Sequence, residues 1–431
     1  MEEQILEYQD QVLLVGVDTE TVHRTTEDFE HSMEELKNLA EAAGKKVVGI
    51  ITQKLDMPNK SLYIGTGKIR EVKEYASECG ANEIIFDNAL SPSQIRNLVR
   101  ELDMPISDRT NLILEIFAIR AQTREAKLQV ETARLQYMLP RLVGLHESLS
   151  RQGGGSGSMS NKGAGEKKLE LDRRRIEHRI AELRKELEQI AGNRITQRGK
   201  RDRSGIPQVA LVGYTNAGKS TLLNQMVEYY GDGEEKKVLE KNMLFATLET
   251  SVRRIDNGRN QPFFLVDTVG FIDKLPHGLV KAFRSTLEEV RYADLLVHVV
   301  DFSDENHKQH MEVTLETLKE LEAAGIPQLV IYNKADLHGE MEIPKVVGNQ
   351  IFMCARDREA IEVLMTAIQQ QIYADRAEMN FLFPFDKGNV ASYFMEQATV
   401  LEKEYRPEGL WMRVSCHKGD GEKYAQYLVQ S

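Results

Sequence analysis

Apolar and polar residues alternate along the first 108 residues in blocks typical of short strands and amphipathic helices. Apolar, β-branched runs predict three strands, at residues 12–17, 46–52 and 83–87. Helical patterns between and after them predict three helices, at residues 27–43, 67–78 and 92–102. This order of elements predicts a parallel sheet with crossover helices.

The next stretch predicts a long antiparallel helical hairpin. Apolar residues recur at three- and four-residue steps over 111–140 and again over 169–190, so two helices can bury a seam on each other or on the first domain. Between them, residues 151–166 contain six glycines, a composition that cannot bury enough surface to fold alone. This tip is either a flexible linker or a loop that becomes ordered on a partner.

Strands and helices alternate again from residue 208 to about 373, after a basic linker at 196–205. A small α/β appendage follows, with a helix near 390–402, a strand at 410–416, a short helix near 422–429 and Trp411 in its core. The fold class is therefore α/β. We expect an N-terminal parallel α/β domain (1–110), the hairpin with its tip and basic linker (111–205), a doubly wound domain (206–375) and a C-terminal α/β domain (376–431).

Charge is distributed unevenly along the chain. Residues 115–203 contain 20 Lys and Arg against 12 Asp and Glu, a balance of +8, whereas the whole chain carries −11. A basic element on an acidic body fits a partner whose phosphates are contacted at one place; a pair of solvated, charged helices is the alternative. The acidic N-terminus, the lack of a long apolar run and three widely spaced cysteines predict a cytoplasmic protein with no membrane span.

Candidate chemistry begins at residues 213–221, GYTNAGKST, which fit the phosphate-binding pattern GxxxxGK[ST]. Two glycines permit a turn whose N–H groups face an anion, and the predicted helix behind it points its N-terminus at the same anion. Lys219 is expected to reach the β- and γ-phosphates, and Ser220 to bind Mg²⁺. The predicted nucleotide-binding residues of this loop are Gly213, Tyr214, Thr215, Asn216, Ala217, Gly218, Lys219, Ser220 and Thr221.

Two segments downstream of the phosphate loop contain further residues that are predicted to bind the phosphates and Mg²⁺. Asp267 ends the apolar run FFLV, where a doubly wound sheet places its ligands, and is expected to hold Mg²⁺ through water. Gly270 can donate its N–H to the γ-phosphate and can shift when that phosphate leaves, so the following segment is a natural switch. Thr247 is the candidate for a second hydroxyl on Mg²⁺.

The base is expected to be selected by the NKxD motif Asn333-Lys334-Ala335-Asp336. The carboxylate of Asp336 can accept from both guanine N1–H and the 2-amino group, and adenine has neither donor. Asn333 can bridge the base and the phosphate loop, and Lys334 can lay its stem over the purine. The three motifs together predict a P-loop GTPase domain that binds guanine nucleotides, GTP with Mg²⁺.

Hydrolysis has one unusual feature, since Phe271 occupies the place of the glutamine that orients water in many small GTPases. Another group or a partner must therefore position the water. Asn216 resembles the asparagine by which a group of GTPases holds K⁺ beside the phosphates, so Asn216 joins Lys219, Thr247 and Gly270 in the predicted catalytic set. His307 and His310 are expected to be exposed helix residues rather than metal ligands.

With these residues placed, nearly the whole chain resembles the HflX family of GTPases. The matching segments are ALSPSQIRN at 89–97, DRT at 108–110, TREAKLQVE at 123–131, LPRL at 139–142, SRQGGG at 150–155, LDRRRI at 171–176, and the GTPase motifs with LFAT and DTVGFI. The resemblance implies binding to the large ribosomal subunit and its RNA, with GTP-dependent splitting or rescue of stalled ribosomes. It also implies some use of ATP, as in several members.

The departures from the family concern three places. Residues 249–252 replace a DPT-like segment; Cys354 stands for a serine beside Ala355, where backbone N–H groups hold the base; and the tip lacks the usual arginine and GPGET-like run. They suggest a specialised paralogue that displaces antibiotics from ribosomes. The alternative function is a GTP-controlled RNA-binding switch or chaperone that does not split ribosomes. We expect a monomer.

Overall fold

The computed structural model describes residues 10–19, 26–151, 159–202, 206–231, 245, 250–258, 261–274, 289–339 and 341–429. They belong to two compact units, which are described separately. The first unit contains the described residues up to 198, together with Phe245, Asp273 and Lys274, and the second contains the others. No helix in these ranges is both long and apolar enough to cross a membrane. The α/β class is confirmed, and the division into four domains stays a prediction.

The first unit is built on a parallel sheet in the order β2-β1-β3-β4. Its strands are β1 (Gln11–Asp18), β2 (Lys46–Lys54), β3 (Glu83–Phe86) and β4 (Ile106–Asp108), and its crossover helices are α1 (Thr26–Ala42), α2 (Thr66–Glu78) and α3 (Pro92–Leu102). β1 is buried along nearly its whole length, as expected for a central strand covered by helices on both faces. The predicted parallel sheet is confirmed; β4 was not predicted, because three residues give no periodic signal.

Three helices follow: α4 (Arg109–Arg120), α5 (Arg124–Arg151) and α6 (Met159–Asp202). The prediction of one continuous helix over 111–140 was wrong, because the chain adopts an extended conformation at Ala121. α5 then starts behind Thr123, whose hydroxyl accepts from the N–H of Ala126 at 3.2 Å. Threonine is a favoured helix cap. The sequence-based prediction missed this start of a new helix because the apolar periodicity continues across Thr123.

α5 and α6 form the expected antiparallel hairpin. Arg124 pairs with Glu186 at 2.8 Å, and Arg179 pairs with Glu131 at 2.8 Å, so the residue numbers of the two helices run in opposite directions. The seam between them is apolar, since Ile180 and Leu183 of α6 are buried.

The tip of the hairpin and its linker differ from the prediction. α6 begins at Met159, inside the stretch 151–166 that was predicted as a loop, and residues 152–158 lie outside the described ones. The same helix continues to Asp202 and so includes most of the predicted linker at 196–205. Extending a formed helix costs little per residue when the added residues are good helix formers such as Lys, Arg and Gln, and this outweighed the glycines.

The second unit contains a sheet in the order β10-β11-β9-β8-β5-β7-β6. Its strands are β5 (Gln208–Val212), β6 (Ser251–Ile255), β7 (Phe263–Asp267), β8 (Leu295–Asp301), β9 (Gln328–Asn333), β10 (Lys345–Val347) and β11 (Gln350–Phe352), and its described helices are α7 (Lys219–Tyr230), α8 (His307–Glu320) and α9 (Arg358–Ile372). β5 lies between β7 and β8 and is parallel to both. The chain thus changes direction across the sheet at β5, and loops at such a point form a ligand crevice.

A small antiparallel sheet in the order β12-β14-β13 ends the chain. Its elements are β12 (Arg376–Phe383), α10 (Gly388–Gln397), β13 (Thr399–Arg406), β14 (Gly409–His417) and α11 (Lys418–Lys423). The helix predicted to reach 402 was wrong beyond Gln397, because residues 399–406 pair with β14, and the last helix lies earlier than expected. Trp411 is not in the core either: it is half-buried, with the guanidinium of Arg406 at 4.6 Å over its ring.

Candidate nucleotide site

The phosphate loop connects β5 to α7 in a conformation that only its glycines allow. Gly213 has a φ of 143° and Gly218 a φ of 98°, a region that favours glycine. A Cβ at Gly213 would collide with the carbonyl of Val299, and one at Gly218 would collide with the side chain of Asn333. The loop therefore packs directly on β8 and on the NKxD motif, which brings the predicted phosphate and base residues together.

Lys219, the first residue of α7, is buried within this loop, at 6% exposure. Its ammonium group donates to the carbonyl of Gly213 at 2.9 Å and to that of Tyr214 at 2.6 Å. Burial lowers the pKa of Lys219 to about 8, and the nearby Asp267 carboxylate opposes that shift. A buried cation whose hydrogen-bond acceptors are neutral carbonyls is well placed to turn to an incoming phosphate.

Ser220 and Asp267 lie side by side where the metal was predicted. The hydroxyl of Ser220 donates to Asp267 Oδ2 at 2.8 Å, and Asp267 is fully buried at the end of β7. A hydroxyl and a carboxylate oxygen fit a hard cation such as Mg²⁺, which takes few protein ligands and keeps several waters. Thr247, the third predicted metal ligand, lies outside the described residues.

The segment around Gly270 is attached to the phosphate loop by its backbone. The N–H of Thr215 donates to the carbonyl of Phe271 at 2.8 Å, and the N–H of Phe271 donates to the carbonyl of Gly213 at 3.1 Å. A Cβ on Gly270 would lie 2.8 Å from the Cα of Thr215 and 3.0 Å from the Lys219 ammonium. Gly270 therefore lies beside the cation that is expected to meet the γ-phosphate, as its predicted role requires.

Phe271 is buried, at 2% exposure. Its side chain contributes to packing, and its backbone forms the bridge to the phosphate loop described above. An apolar, buried ring cannot orient a water molecule, so the substitution noted in the sequence removes the usual water-positioning group from this place. Asn216, by contrast, is exposed on the phosphate loop with a φ of 61°.

The NKxD residues are fixed to the phosphate loop and to the last residue of β8. The amide of Asn333 donates to the carbonyl of Ala217 at 2.8 Å, and its oxygen accepts from the N–H of Ala355 at 2.9 Å. The ammonium of Lys334 is 2.6 Å from a carboxylate oxygen of Asp301, which holds the lysine stem in place. Asp336 is exposed, so its carboxylate is accessible to a base.

Cys354 and Ala355, predicted from the resemblance alone, lie in the same place. Ala355 is buried and its N–H donates to Asn333, and the thiol of Cys354 lies near the carboxylate of Asp336. Burial and this carboxylate raise the pKa of the Cys354 thiol, although an N–H from Arg356 opposes the shift. The thiol therefore stays protonated near neutral pH, close to the carboxylate expected to read guanine.

A stacked pair beneath the phosphate loop was also missed. The ring of Tyr214 lies parallel to that of His310 on α8, with 3.8 Å between centroids and 9° between planes. His310 is buried and its Nδ1 lies 3.7 Å from Asp304, so the expectation that it is exposed was wrong. The two residues are far apart in sequence, and an i, i+3 pair of histidines gave no indication of which one faces inward.

Models of three protein families match successive parts of the chain. The family described as "GTP-binding GTPase N-terminal" matches residues 30–118, "GTP-binding GTPase Middle Region" matches 120–201, and "50S ribosome-binding GTPase" matches 208–334. The three matches together run from residue 30, within α1, to Lys334 of the NKxD motif, with short gaps between them.

Curated relatives are similar over most of their length. A protein named GTPase HflX from Caldanaerobacter subterraneus subsp. tengcongensis is 43% identical over 390 residues, covering 90% of this chain and 88% of that protein. GTPase HflX of Escherichia coli (strain K12) is 38% identical over 393 residues, covering 90% and 89%. A solved structure of a GTP-binding protein from Sulfolobus solfataricus in complex with GDP is 27% identical, with a TM-score of 0.42 over 84% of this chain and 99% of that one.

Proposed function

Because this chain belongs to the HflX family of GTPases, we propose that it binds the large ribosomal subunit and its RNA and uses GTP to split or rescue stalled ribosomes. The observation that carries the proposal is the presence, in one chain, of a GTPase site and a long helical hairpin with a basic sequence. The match to a family described as "50S ribosome-binding GTPase" supports the choice of partner. Displacement of an antibiotic bound to the ribosome belongs to the same proposal.

The chain is a GTP hydrolase, and its residues have separable roles in that reaction. Lys219 would leave its carbonyl acceptors to neutralise charge on the β- and γ-phosphates, while the loop N–H groups hold the β-phosphate. Gly270 would donate its N–H to the γ-phosphate, and Asp336 would read the base. Ser220 and Thr247 would hold Mg²⁺ by their hydroxyls and Asp267 would hold it through water, and the ion would supply further charge neutralisation at the phosphate oxygens.

A potassium ion is the proposed partner of Asn216 in hydrolysis. The support is indirect: Phe271 is buried and cannot orient water, whereas Asn216 is exposed on the phosphate loop. A monovalent cation there would stabilise charge that develops between the phosphates. Turnover should fall when sodium replaces potassium, and Asn216→Ala should remove that difference; equal turnover of the unmodified protein in both salts would exclude the potassium role.

Contact with RNA is assigned to the hairpin. Three consecutive arginines on α6, Arg173, Arg174 and Arg175, have side chains 46%, 71% and 79% exposed, each in an ion pair with a carboxylate on the same helix. Exposed pairs of this kind contribute little to stability. RNA phosphates can therefore replace these carboxylates at small cost, and each phosphate that an arginine neutralises releases counterions.

The test compares ribosome binding over a range of salt concentrations. Replacing the three arginines by glutamine should weaken sedimentation with large subunits and make log K fall less steeply with log salt, by about 0.7 to 0.9 for each phosphate that is no longer neutralised. Arg358→Gln is the matched control, because Arg358 also forms an exposed pair with a residue four positions on but lies in the second unit. Equal binding of the triple variant and the control variant would contradict the RNA-binding role of the hairpin.

A second variant separates binding to the ribosome from the splitting of the ribosome. Shortening the glycine-rich tip by residues 153–157 should leave intrinsic GTP hydrolysis unchanged, because the nucleotide site is formed by residues after 205. We expect it to reduce subunit dissociation and ribosome-stimulated turnover more than sedimentation. Dissociation that is absent even in the unmodified protein, with GTP-dependent RNA binding retained, would favour the RNA-binding switch or chaperone instead.

A further inference from the structure

Lys274, four residues after Gly270, is held in a buried ionic cluster of the first unit. Its ammonium group donates to the carboxylate of Asp87 and, at 2.7 Å, to the hydroxyl of Ser32. The Ser32 hydroxyl itself donates to the same carboxylate at 2.8 Å. The side chain of Lys274 is only 17% exposed, which is unusual for a lysine on the segment that should respond to the γ-phosphate.

Arg109 is the centre of this cluster. Its guanidinium, 1% exposed, donates to Glu35 at 2.6 Å and to Asp87 at 2.6 Å, and it also donates to the carbonyl of Ser32 at 2.7 Å. We refer to Arg109, Asp87, Glu35 and Ser32 as the Arg109 cluster. Without Lys274 the cluster contains two carboxylates and one cation. Since an uncompensated buried charge is strongly unfavourable, the cluster is completed by one further cation, and Lys274 supplies it.

We propose that Lys274 is a positioning residue for GTP hydrolysis: docked in the Arg109 cluster, it fixes the segment after Gly270 in the resting protein, and GTP must release it. The inference depends on the GTPase activity alone and not on the ribosomal role proposed above. It assigns to Asp87, Glu35 and Arg109 the task of holding a residue that belongs, by sequence, to the nucleotide-responsive segment.

The other end of that segment explains why GTP would have this effect. Phe271 is bonded to the phosphate loop through Gly213 and Thr215, and Gly270 lies against Thr215 and the Lys219 ammonium. Lys219 can turn from its carbonyl acceptors to the β-phosphate of either nucleotide, whereas GTP alone brings a γ-phosphate to the N–H of Gly270. Gly270 must then take a new position to donate to the γ-phosphate. Only Phe271, Ile272 and Asp273 separate it from Lys274, so the displacement is transmitted to the docked ammonium.

A second contact with α4, the helix that begins with Arg109, supports the role proposed for Lys274. Phe245, two residues before the predicted metal ligand Thr247, is buried in the first unit with its ring edge-on to that of Phe117, 4.7 Å between centroids. Phe117 and Arg109 both belong to α4. One helix thus anchors residues adjacent to both segments that are expected to meet the γ-phosphate.

The first experiment measures the accessibility of Lys274 in the unmodified protein. An amine-acylating reagent is applied to nucleotide-free, GDP-bound and GTPγS-bound protein, and modification of each lysine is quantified by mass spectrometry. Lys274 should be protected in the first two states and become at least about fivefold more reactive with GTPγS. Lys45, buried in the same unit with its ammonium 2.6 Å from Glu83, is the internal control and should stay protected throughout. Equal reactivity of Lys274 in all three states would overturn the proposal.

The second experiment uses the ratio of GDP to GTPγS dissociation constants, which a purely structural role would leave unchanged. Lys274→Met removes the docking cation. GTPγS should then bind more tightly relative to GDP, so that the ratio rises by at least about fivefold. Lys274→Arg keeps the charge and should stay close to the unmodified protein, as should Lys73→Met at an exposed site of the same unit. If Lys274→Met is poorly folded, adding Asp87→Asn restores neutrality and the ratio is measured in the double variant. An unchanged ratio in every Lys274 variant would also overturn the proposal.

Discussion

Lys219 and Arg109 are both buried cations, but their surroundings differ. Around Arg109, two carboxylates lie at 2.6 Å, and although burial alone would lower its pKa, Asp87 and Glu35 raise it. Around Lys219, the hydrogen-bond acceptors are two backbone carbonyls, and burial lowers its pKa to about 8 in spite of Asp267. The first cation is neutralised by protein groups, and the second is hydrogen-bonded but not neutralised at contact distance.

The difference teaches where to expect a ligand. A protein can bury a charge if it supplies the opposite charge, and it then gains little by binding anything else. A buried charge that has only neutral acceptors gains from an anion brought by a ligand. On this criterion the Arg109 cluster is a structural or docking feature, whereas Lys219 is the centre of a binding site.

The largest effect is expected from Arg109→Met. It would leave the carboxylates of Asp87 and Glu35 buried with one cation between them, and should cost about 3–5 kcal/mol of stability. Hydrogen exchange followed by mass spectrometry should show faster exchange in β1 and β3, with β5 and β8 unchanged. Arg173→Met, at an exposed pair in the same unit, should change exchange in none of them. Normal protection of β1 in the Arg109 variant would show that the cluster does not stabilise the unit.

Lys219→Met should weaken nucleotide binding and leave the stability of the fold unchanged, the opposite of what is expected for Arg109→Met. It removes the cation that meets the phosphates, so affinity for GDP and GTP should fall at least about 100-fold, or about 3 kcal/mol. Protection of β5 and β8 in the nucleotide-free protein should be retained, because a buried charge without a contacting counter-ion is replaced by an apolar side chain. Fluorescent nucleotide titration measures the first effect and hydrogen exchange the second. Lys308→Met, at an exposed position of α8, is the control and should bind normally.

Acid should reduce the stability that the Arg109 cluster contributes, between about pH 5 and pH 2. Burial by itself would raise the pKa of Asp87, but Arg109 and Lys274 lower it to about 2 from 3.8; Glu35 also contacts Arg109, and Tyr63 lies nearby. A carboxyl whose pKa is lowered on folding stabilises the fold above its unfolded pKa, and that stability is lost as pH falls. The free energy of unfolding of the unmodified protein should therefore exceed that of Asp87→Asn by a constant amount above about pH 5. This difference should shrink by about 2 kcal/mol toward pH 2. A constant difference in thermal midpoint across that range would contradict the low pKa.

How much of this could be predicted depended on how local the chemistry is. The turn of the phosphate loop requires Gly213 and Gly218 within nine residues, and the base motif requires Asn333 and Asp336 within four, so spacing alone identified them. The parallel sheet of the first unit was likewise predictable, because buried strands and crossover helices each have a period of their own. Their roles as ligands stay predictions.

The Arg109 cluster could not be predicted, because its members come from separate parts of the chain. Arg109 and Glu35 are 74 residues apart, and Lys274 and Asp87 are 187 residues apart. No periodicity relates them, and a single Arg or Asp in a sequence is far more often at the surface than in a core. The resemblance drew attention to residues 108–110, but not to their environment: Asp108 caps α4 by accepting from the N–H of Asn111 at 2.9 Å, and Arg109 points into the unit.

The smallest effect is expected at His310, and it tests whether Lys219 depends on support of the phosphate loop. One of the two acceptors of Lys219 is the carbonyl of Tyr214, whose ring is stacked on His310. Stacking of this kind contributes about 0.5–1.5 kcal/mol, so His310→Ala should weaken GDP binding by up to about tenfold. His310→Phe keeps an aromatic ring beneath Tyr214 and should bind within about threefold of the unmodified protein. If the alanine and phenylalanine variants lose affinity equally, the imidazole acts through Asp304 or another polar contact rather than through the stack. If neither loses affinity, the phosphate loop holds its conformation through the backbone bonds to Phe271 alone.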